Sequence, residues 1–489
     1  MDGKRLSRRA ALHLGGFTAA GAALAACGAT PTPQVIREVV TQVVEREVTK
    51  IVEGTPQVVV ETVVVENTVV VKETVIAAPA KTYEEGTLNI LVCCSGPDEI
   101  AAKEEFNQRF AAARSGVTVN LEPMPAGQNY FEKLQTVIAA GTAPDIYDMW
   151  EGYVQPYAQN GALMNMDPFL EKDPILKKTD FWEGMLPGAL WEGNMYALVF
   201  GVMPGPVSLY YNKDLLDAAG VTYPTNDWTW DQMREAAKAL TIGAETGAPS
   251  QYGLVFANWF VPWLYWIWSN QGDVFNADET KCTATEPPAY EALQYWADIV
   301  VKDLAAPTSS TTSTMQGESN MFQTGQVAMY LGNCWDLATL DNARTQGLNW
   351  GARLAPTAND GNRTFYLHQW CWGIWTGTKK PNLAWEYVRD FSVDETMISS
   401  FNTIQKAVPG VKRMLYTFLT PETEALGWAG VVDILGDPGK IRYPGAGAKW
   451  DKISTMFQAE IDLVFTGEKT AQDAMAAACP AVDEELARA

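Results

Sequence analysis

The sequence predicts an α/β fold, and three neighbouring stretches carry that prediction. "TLNILV" (87–92) is a short apolar run of strand formers. "DEIAAKEEFNQRFAAAR" (98–114) sets Ile100, Phe106 and Phe110 at helical spacing, and "VTVNLEPM" (117–124) alternates as a half-buried strand does. "NYFEKLQTVIAAG" (129–141) then reads as a second helix ending on Gly141, and "APDIYDMW" (143–150) as a third strand. This β-α-β-α-β order needs crossover connections, so it points to a parallel-rich sheet flanked by helices on both faces.

Two segments precede that body. "SRRAALHLGGFTAAGAALAAC" (7–27) joins paired arginines to an apolar run from Ala10 to Ala26, which is short for a membrane span and suited to an export signal. Ser7-Arg8-Arg9 resembles a twin-arginine signal, and Leu24-Ala25-Ala26-Cys27 looks like a lipoprotein box. Residues 1–27 are therefore expected to be a signal peptide with a lipobox, with Cys27 as the lipidated residue. The rest of the chain would lie outside the cytoplasm, anchored to the outer face of the cell membrane. Residues 28–85 are expected to be a stalk or linker. From Val35 to Val75 they are rich in Val, Glu and Thr and contain no aromatic residue. Apolar pairs from Ile36 to Val52 suit a short helix or coiled coil, whereas the valine triplets from Val58 suit extended chain. An oligomerising stem is the alternative reading.

The chain of 489 residues is long enough for two full cores, and its net charge is −22. Such an acidic surface repels phosphate backbones, so no nucleic acid partner is expected. Besides Cys27, six cysteines remain, with pairing that the sequence leaves open. Of the two histidines, His13 sits in the leader, leaving His368. One histidine cannot build a multi-histidine metal site, so neither metal nor cofactor is expected.

Five further stretches, in order, carry a family resemblance. They are "GTAPDIYDMWEGYVQPYAQNGALMNMDPFL", "MYALVFGVMPGPVSLYYNKDLLDAAGV", "DWTWDQMREAAKAL", "MFQTGQVAMYLGNCWDL" and "WGIWTGTKKPNLAWEYVRDF". Together they resemble bacterial extracellular solute-binding proteins of the maltose-binding type, over essentially Gly86 to Ala489. The resemblance implies a two-lobed periplasmic-binding-protein fold (type II) with hinge strands between lobes. On that basis lobe 1 is expected to comprise 86–205 and 372–428, and lobe 2 to comprise 206–371 and 429–489. It also implies a function: capture of a sugar or oligosaccharide between the lobes and delivery to ABC transporter permease subunits, with no catalytic group.

The expected ligand-binding residues follow from aromatic rings, which stack on the C–H faces of sugars, and from nearby polar groups. Trp150 and Glu151 end the strand after Pro144-Asp145. Trp259 and Trp263 open "WFVPWLYWIWSNQG", whose Trp266 and Trp268 read better as core. Trp335 matches a sugar-stacking ring of the family, Trp370 falls at the second crossing beside His368, and Tyr443 and Trp450 match a loop lining the family's site. Gly205 stands where the maltose-binding pattern has an acidic residue. Asp145 and Asp148 read as structural carboxylates, Asp214 as part of a helix start, and Asp360 as a turn residue. The alternatives are the same fold binding a peptide, polyamine or phosphodiester, a lipid-anchored glycoside hydrolase, and a surface adhesion module. The hydrolase would need two carboxylates flanking the sugar.

Overall fold

The structure is a computed structural model that describes residues 35–36, 44–52, 55–63, 74–75, 83–124, 130–205, 208–445 and 447–488. The leader and Cys27 lie outside the described residues. The chain divides into two units, Met1–Thr82 and Tyr83–Ala489.

In the first unit, Val44–Val52 pairs antiparallel with Thr55–Val63, placing Val44 opposite Val63 and Val52 opposite Thr55. Val35–Ile36 pairs with Thr74–Val75. The helix expected over Ile36–Val52 is therefore not formed at Val44–Val52. Valine, threonine and isoleucine are stiff at χ1, which disfavours helix, and two such runs can satisfy each other's backbone groups as a hairpin.

The second unit begins as the sequence pattern predicts. β1 (Gly86–Cys93) pairs in parallel with β2 (Val117–Met124) and with β3 (Ile146–Met149). Leu88, Ile90, Leu91 and Val92 are all buried, as befits a central strand covered on both faces. The helix between β1 and β2, Pro97–Ala112, has Pro at its start, Asp98 and Glu99 in the first turn and Arg109 in the last. Its Phe106 and Phe110 meet Tyr387 edge-on at 5.3 and 5.1 Å, docking it against the helix Pro381–Val393.

β4 (Ala197–Gly205), buried along its whole length, continues this sheet. The chain then enters a second sheet at β5 (Ser208–Asn212), which is antiparallel to β7 (Val327–Gly332) and β8 (Trp350–Leu354), while β6 (Tyr252–Phe256) lies parallel to β7. It returns through β9 (Phe365–Ile374), antiparallel to β3 and β4, and β10 (Val408–Pro409) adds to the outer side of β4. A third crossing carries β11 (Ile441–Arg442), parallel to the start of β9. The strand order is thus β10-β4-β9-β3-β1-β2 in the first sheet and β6-β7-β5-β8 in the second. Parallel pairs occur where crossover helices intervene, and antiparallel pairs enter where strands pass between lobes. β9 is bonded into the first sheet from Tyr366 onward, six residues ahead of the lobe boundary drawn at 372.

The second lobe is closed by helices Phe260–Ser269, Pro287–Val301, Trp450–Phe465 and Ala471–Leu486. Trp266 stacks on Trp296 with centroids 4.6 Å apart, and both rings are fully buried. A Cys282–Cys479 disulfide ties the loop before Pro287 to the last helix, and Cys93 is bonded to Cys94. Cys334 and Cys371 are free and buried.

Candidate functional site

A cavity of about 330 Å³ opens where the three crossings meet. The first lobe supplies Trp150, Glu151 and Tyr153, which follow β3, and Tyr366 and His368 from β9. The second supplies Trp259 and Phe260 at the start of the helix Phe260–Ser269, and Trp335 just after β7. Trp450, opening the helix beyond the third crossing, completes the wall. Gly205 lies at the seam: a Cβ there would meet Asn333 Oδ1 at 3.1 Å and Val261 Cγ1 at 3.2 Å, so a side chain would wedge the crossing against the second lobe.

The rings hold one another in place. Trp150 meets Phe131 edge-on at 5.1 Å, and Phe131 stacks on Tyr153 at 3.5 Å. Phe260 bridges Tyr366 at 5.6 Å and Trp450 at 5.8 Å. Trp335 is 38% exposed, and among the described residues its ring neighbour is His368, at 6.1 Å. It is the least packed aromatic of the wall.

Glu151 is the only carboxylate among the described lining residues, and its oxygens are committed to β9. It accepts from the Gln369 amide at 2.6 Å and from the Tyr366 hydroxyl, and it lies 2.9 Å from Nδ1 of His368. Burial, followed by the charge of Glu151, pushes the Tyr366 hydroxyl well above its ordinary pKa, so it remains a donor. No Lys or Arg lines the cavity among the described residues.

Five of the expected ligand contacts, Trp150, Glu151, Trp259, Trp335 and Trp450, come together here; three others stand apart. Trp263 is fully buried, meeting Trp450 at 6.0 Å and Phe457 at 5.9 Å and donating from Nε1 to Gln458 at 3.3 Å. Trp259 is the extended N-cap residue at the cavity, whereas Trp263 lies inside the helix, where it packs into the second-lobe core. Trp370 shares a face of β9 with His368 but packs edge-on to that ring at 4.5 Å and to Phe401 at 5.4 Å, away from the lining. Tyr443 directs its hydroxyl behind β9, where Gln369 Nε2 donates to it at 2.7 Å. Burial, then the charge of Glu151, raises its pKa well above the usual value.

Tyr153, Phe260 and Tyr366 were not among the expected contacts. Each adjoins or lies two residues from one that was considered, so the neighbourhood was legible while the facing was not. Asp145 accepts from the Asn89 amide at 2.9 Å and the Thr378 hydroxyl at 2.6 Å, and Asp148 from the Cys93 amide at 2.9 Å, so both brace strands. Asn212 caps the helix Lys213–Ala219 by accepting from the amides of Asp214 and Leu215.

Residues 96–391 match the family model described as bacterial extracellular solute-binding protein. The chain belongs to that family.

A curated binding protein of Brucella abortus is 25% identical to this solute-binding protein over 394 residues, covering 76% of this chain and 92% of its own. Among solved structures, the ABC substrate-binding protein Lmo0181 of Listeria monocytogenes, in complex with cycloalternan, superposes with a TM-score of 0.70. It is 23% identical and covers 82% of this chain and 99% of its own. The sugar-binding protein MalE of Xanthomonas citri gives 0.69 at 19% identity, over 82% and 98%. These likenesses establish the two-lobed fold for this binding protein. No helix among the described residues is long and apolar enough to cross a membrane.

Proposed function

We propose that this solute-binding protein captures an uncharged sugar or oligosaccharide in the cavity between its lobes and delivers it unaltered to ABC transporter permease subunits. The observation that carries the reading is the composition of the wall. Aromatic rings from both lobes converge on a cavity whose only carboxylate among the described residues is already bonded to β9. Rings offer stacking to the C–H faces of a sugar, and contributions from both lobes let the ligand stabilise closure by its differential affinity. The Listeria relative holds cycloalternan and the Xanthomonas one is named for sugar binding, which supports the same ligand class here.

A polyamine would want an unpaired carboxylate and a phosphodiester an Arg or Lys, and the described wall offers neither. A hydrolase would want a second carboxylate across the cavity. The protein is thus read as a carrier, tethered through acyl groups on Cys27 outside the cytoplasm, with the Val-rich segment as its stalk.

The test is a thermal-shift and small-angle scattering panel with maltose, maltotriose, cycloalternan and diacetylchitobiose. A neutral sugar is expected to raise the melting temperature and compact the protein, and to be recovered intact. Stabilisation by phosphorylated or polyamine solutes alone, or recovery of cleaved sugar, would overturn the reading.

A further inference from the structure

Glu151 lines the cavity without offering it a free oxygen, and the consequence falls on His368. The Glu151 side chain is 2% exposed, whereas that of His368 is 24% exposed and faces the cavity. An ionised carboxylate can only accept hydrogen bonds, so at 2.9 Å the proton between the two belongs to Nδ1 of the imidazole. A neutral imidazole carries one N–H, which leaves Nε2 as an acceptor. Other contacts restrain both partners. The Gln369 amide and Tyr366 hydroxyl pin the carboxylate. Trp150 at 6.4 Å, Trp335 at 6.1 Å and Trp370 at 4.5 Å surround the imidazole ring. No described residue supplies a donor to Nε2. The other titratable groups around the pair are Tyr153 beside Glu151, Tyr366 and the Cys371 thiol on the same strand as His368, and Tyr443 behind Gln369.

We propose that Glu151 is a positioning residue that holds His368 as the Nδ1–H tautomer, so that Nε2 presents a lone pair to the cavity and selects a hydroxyl or N–H donor on the ligand. The inference rests on the cavity being the solute site. It adds that, in a wall built of rings, one fixed acceptor sets the orientation of the guest. An ether or a carbonyl at that point finds no donor on His368 and leaves the imidazole lone pair unpaired, which costs affinity.

The test reads the tautomer directly, with no ligand needed. The full chain labelled with ¹⁵N in its histidines has two imidazoles, His13 and His368. H368Q assigns the second by loss of its signals. In the wild type near neutral pH, two-bond ¹⁵N–¹H correlation is expected to place the His368 proton on Nδ1. In E151Q the introduced amide donates to Nδ1, and the proton is expected to move to Nε2. A wild-type proton on Nε2, a wild-type imidazolium, or an unchanged tautomer in a folded E151Q would each overturn the proposal.

Maltose and cycloalternan are then titrated by tryptophan fluorescence. If either binds, H368Q, which removes the fixed imidazole acceptor, and E151Q, which reverses its tautomer, are each expected to weaken it at least tenfold. Wild-type affinity in a folded E151Q would overturn the assigned role. If neither binds but the tautomers behave as expected, the choice of sugar fails while the Glu151–His368 arrangement stands. Should E151Q not fold, the wild-type spectrum alone decides.

Discussion

The ammonium of Lys103 lies 2.7 Å from Oε1 of Glu99, with the two side chains only 1% and 4% exposed. Ser95 accepts from Lys103 and donates to Glu99, each at 2.9 Å, and Gln405 donates to the other Glu99 oxygen at 2.7 Å. Asp148 brings a second carboxylate into the same interior. Burial alone would raise Glu99, but Lys103 together with the Gln405 and Ser95 hydrogen bonds outweighs it and holds that carboxyl below its usual value. Asp148 has less compensation, and burial pushes it up to about 6. One cation therefore serves two carboxylates at the end of β1 and β3, beneath the strands that lead to the cavity.

Removing that cation is expected to be severe. Lys103→Met leaves the carboxylates buried without a counter-charge and should lower stability by about 3–5 kcal/mol in urea melts. Adding Glu99→Gln should recover part of the loss, because the two changes act on one interaction. Strictly additive losses would show that the pair is not coupled.

Asp336 carries a pH signature. Its Oδ2 accepts from the Tyr330 hydroxyl and the Asn333 amide, both at 2.8 Å, yet burial raises its carboxyl to about 6 from 3.8. A raised folded-state value means that the fold prefers the protonated acid. Its stabilising contribution is fully present below about pH 3.8 and is lost as pH rises through 6. Asp336→Asn removes this dependence, so the mutant's stability relative to wild type should improve between pH 4 and pH 7, by up to roughly 3 kcal/mol. Denaturant midpoints at the two pH values check it, and a constant difference would contradict it.

The first lobe was legible because its signals are local. An apolar run, a helical stripe and an alternating strand follow one another, and β1, the helix Pro97–Ala112 and β2 fall where they were expected. The cavity was half legible. Trp259 and Trp263 could not be told apart, because every residue from Val261 to Ser269 is buried and so no polar face marks which side is the core. The engagement of Glu151 was not legible at all, since its three partners lie more than 210 residues away in sequence. The partners of Tyr443 were hidden for the same reason. Its loop does reach the site, but the hydroxyl is claimed by Gln369 and by the backbone oxygens of Gly184 and Met185.

Two tryptophans four residues apart, and a third in the wall, separate binding from stability. Trp335→Ala removes an exposed ring with little packing, so the melting temperature should hardly move, while affinity for a bound neutral sugar should fall roughly tenfold to a hundredfold, about 1.4–2.8 kcal/mol. Trp263→Ala empties a fully buried site and should destabilise the protein by about 3–5 kcal/mol. Trp259→Ala should resemble Trp335→Ala, since its ring lines the cavity. Thermal melts and fluorescence titrations on the same samples check all three. Weakened folding without weakened binding in Trp335→Ala would remove that ring from the site.

The cysteines yield a prediction that needs no ligand. Cys282 and Cys479 are 197 residues apart, so their bond closes a very long loop. Opening it with Cys282→Ser and Cys479→Ser together frees the unfolded chain and should lower stability by about 2–5 kcal/mol. Cys334 and Cys371 should behave as inert thiols. Both are buried, and burial followed by nearby carboxylates raises their pKa, so little thiolate forms. Iodoacetamide is expected to leave both unmodified in the native protein and to label both after urea. A non-reduced peptide map should recover the Cys282–Cys479 link and an internal bond at Cys93–Cys94. Rapid native labelling of Cys371 would be the most damaging result. That residue sits on β9 three positions from His368, and its exposure would mean that the strand Glu151 grips is not held as described.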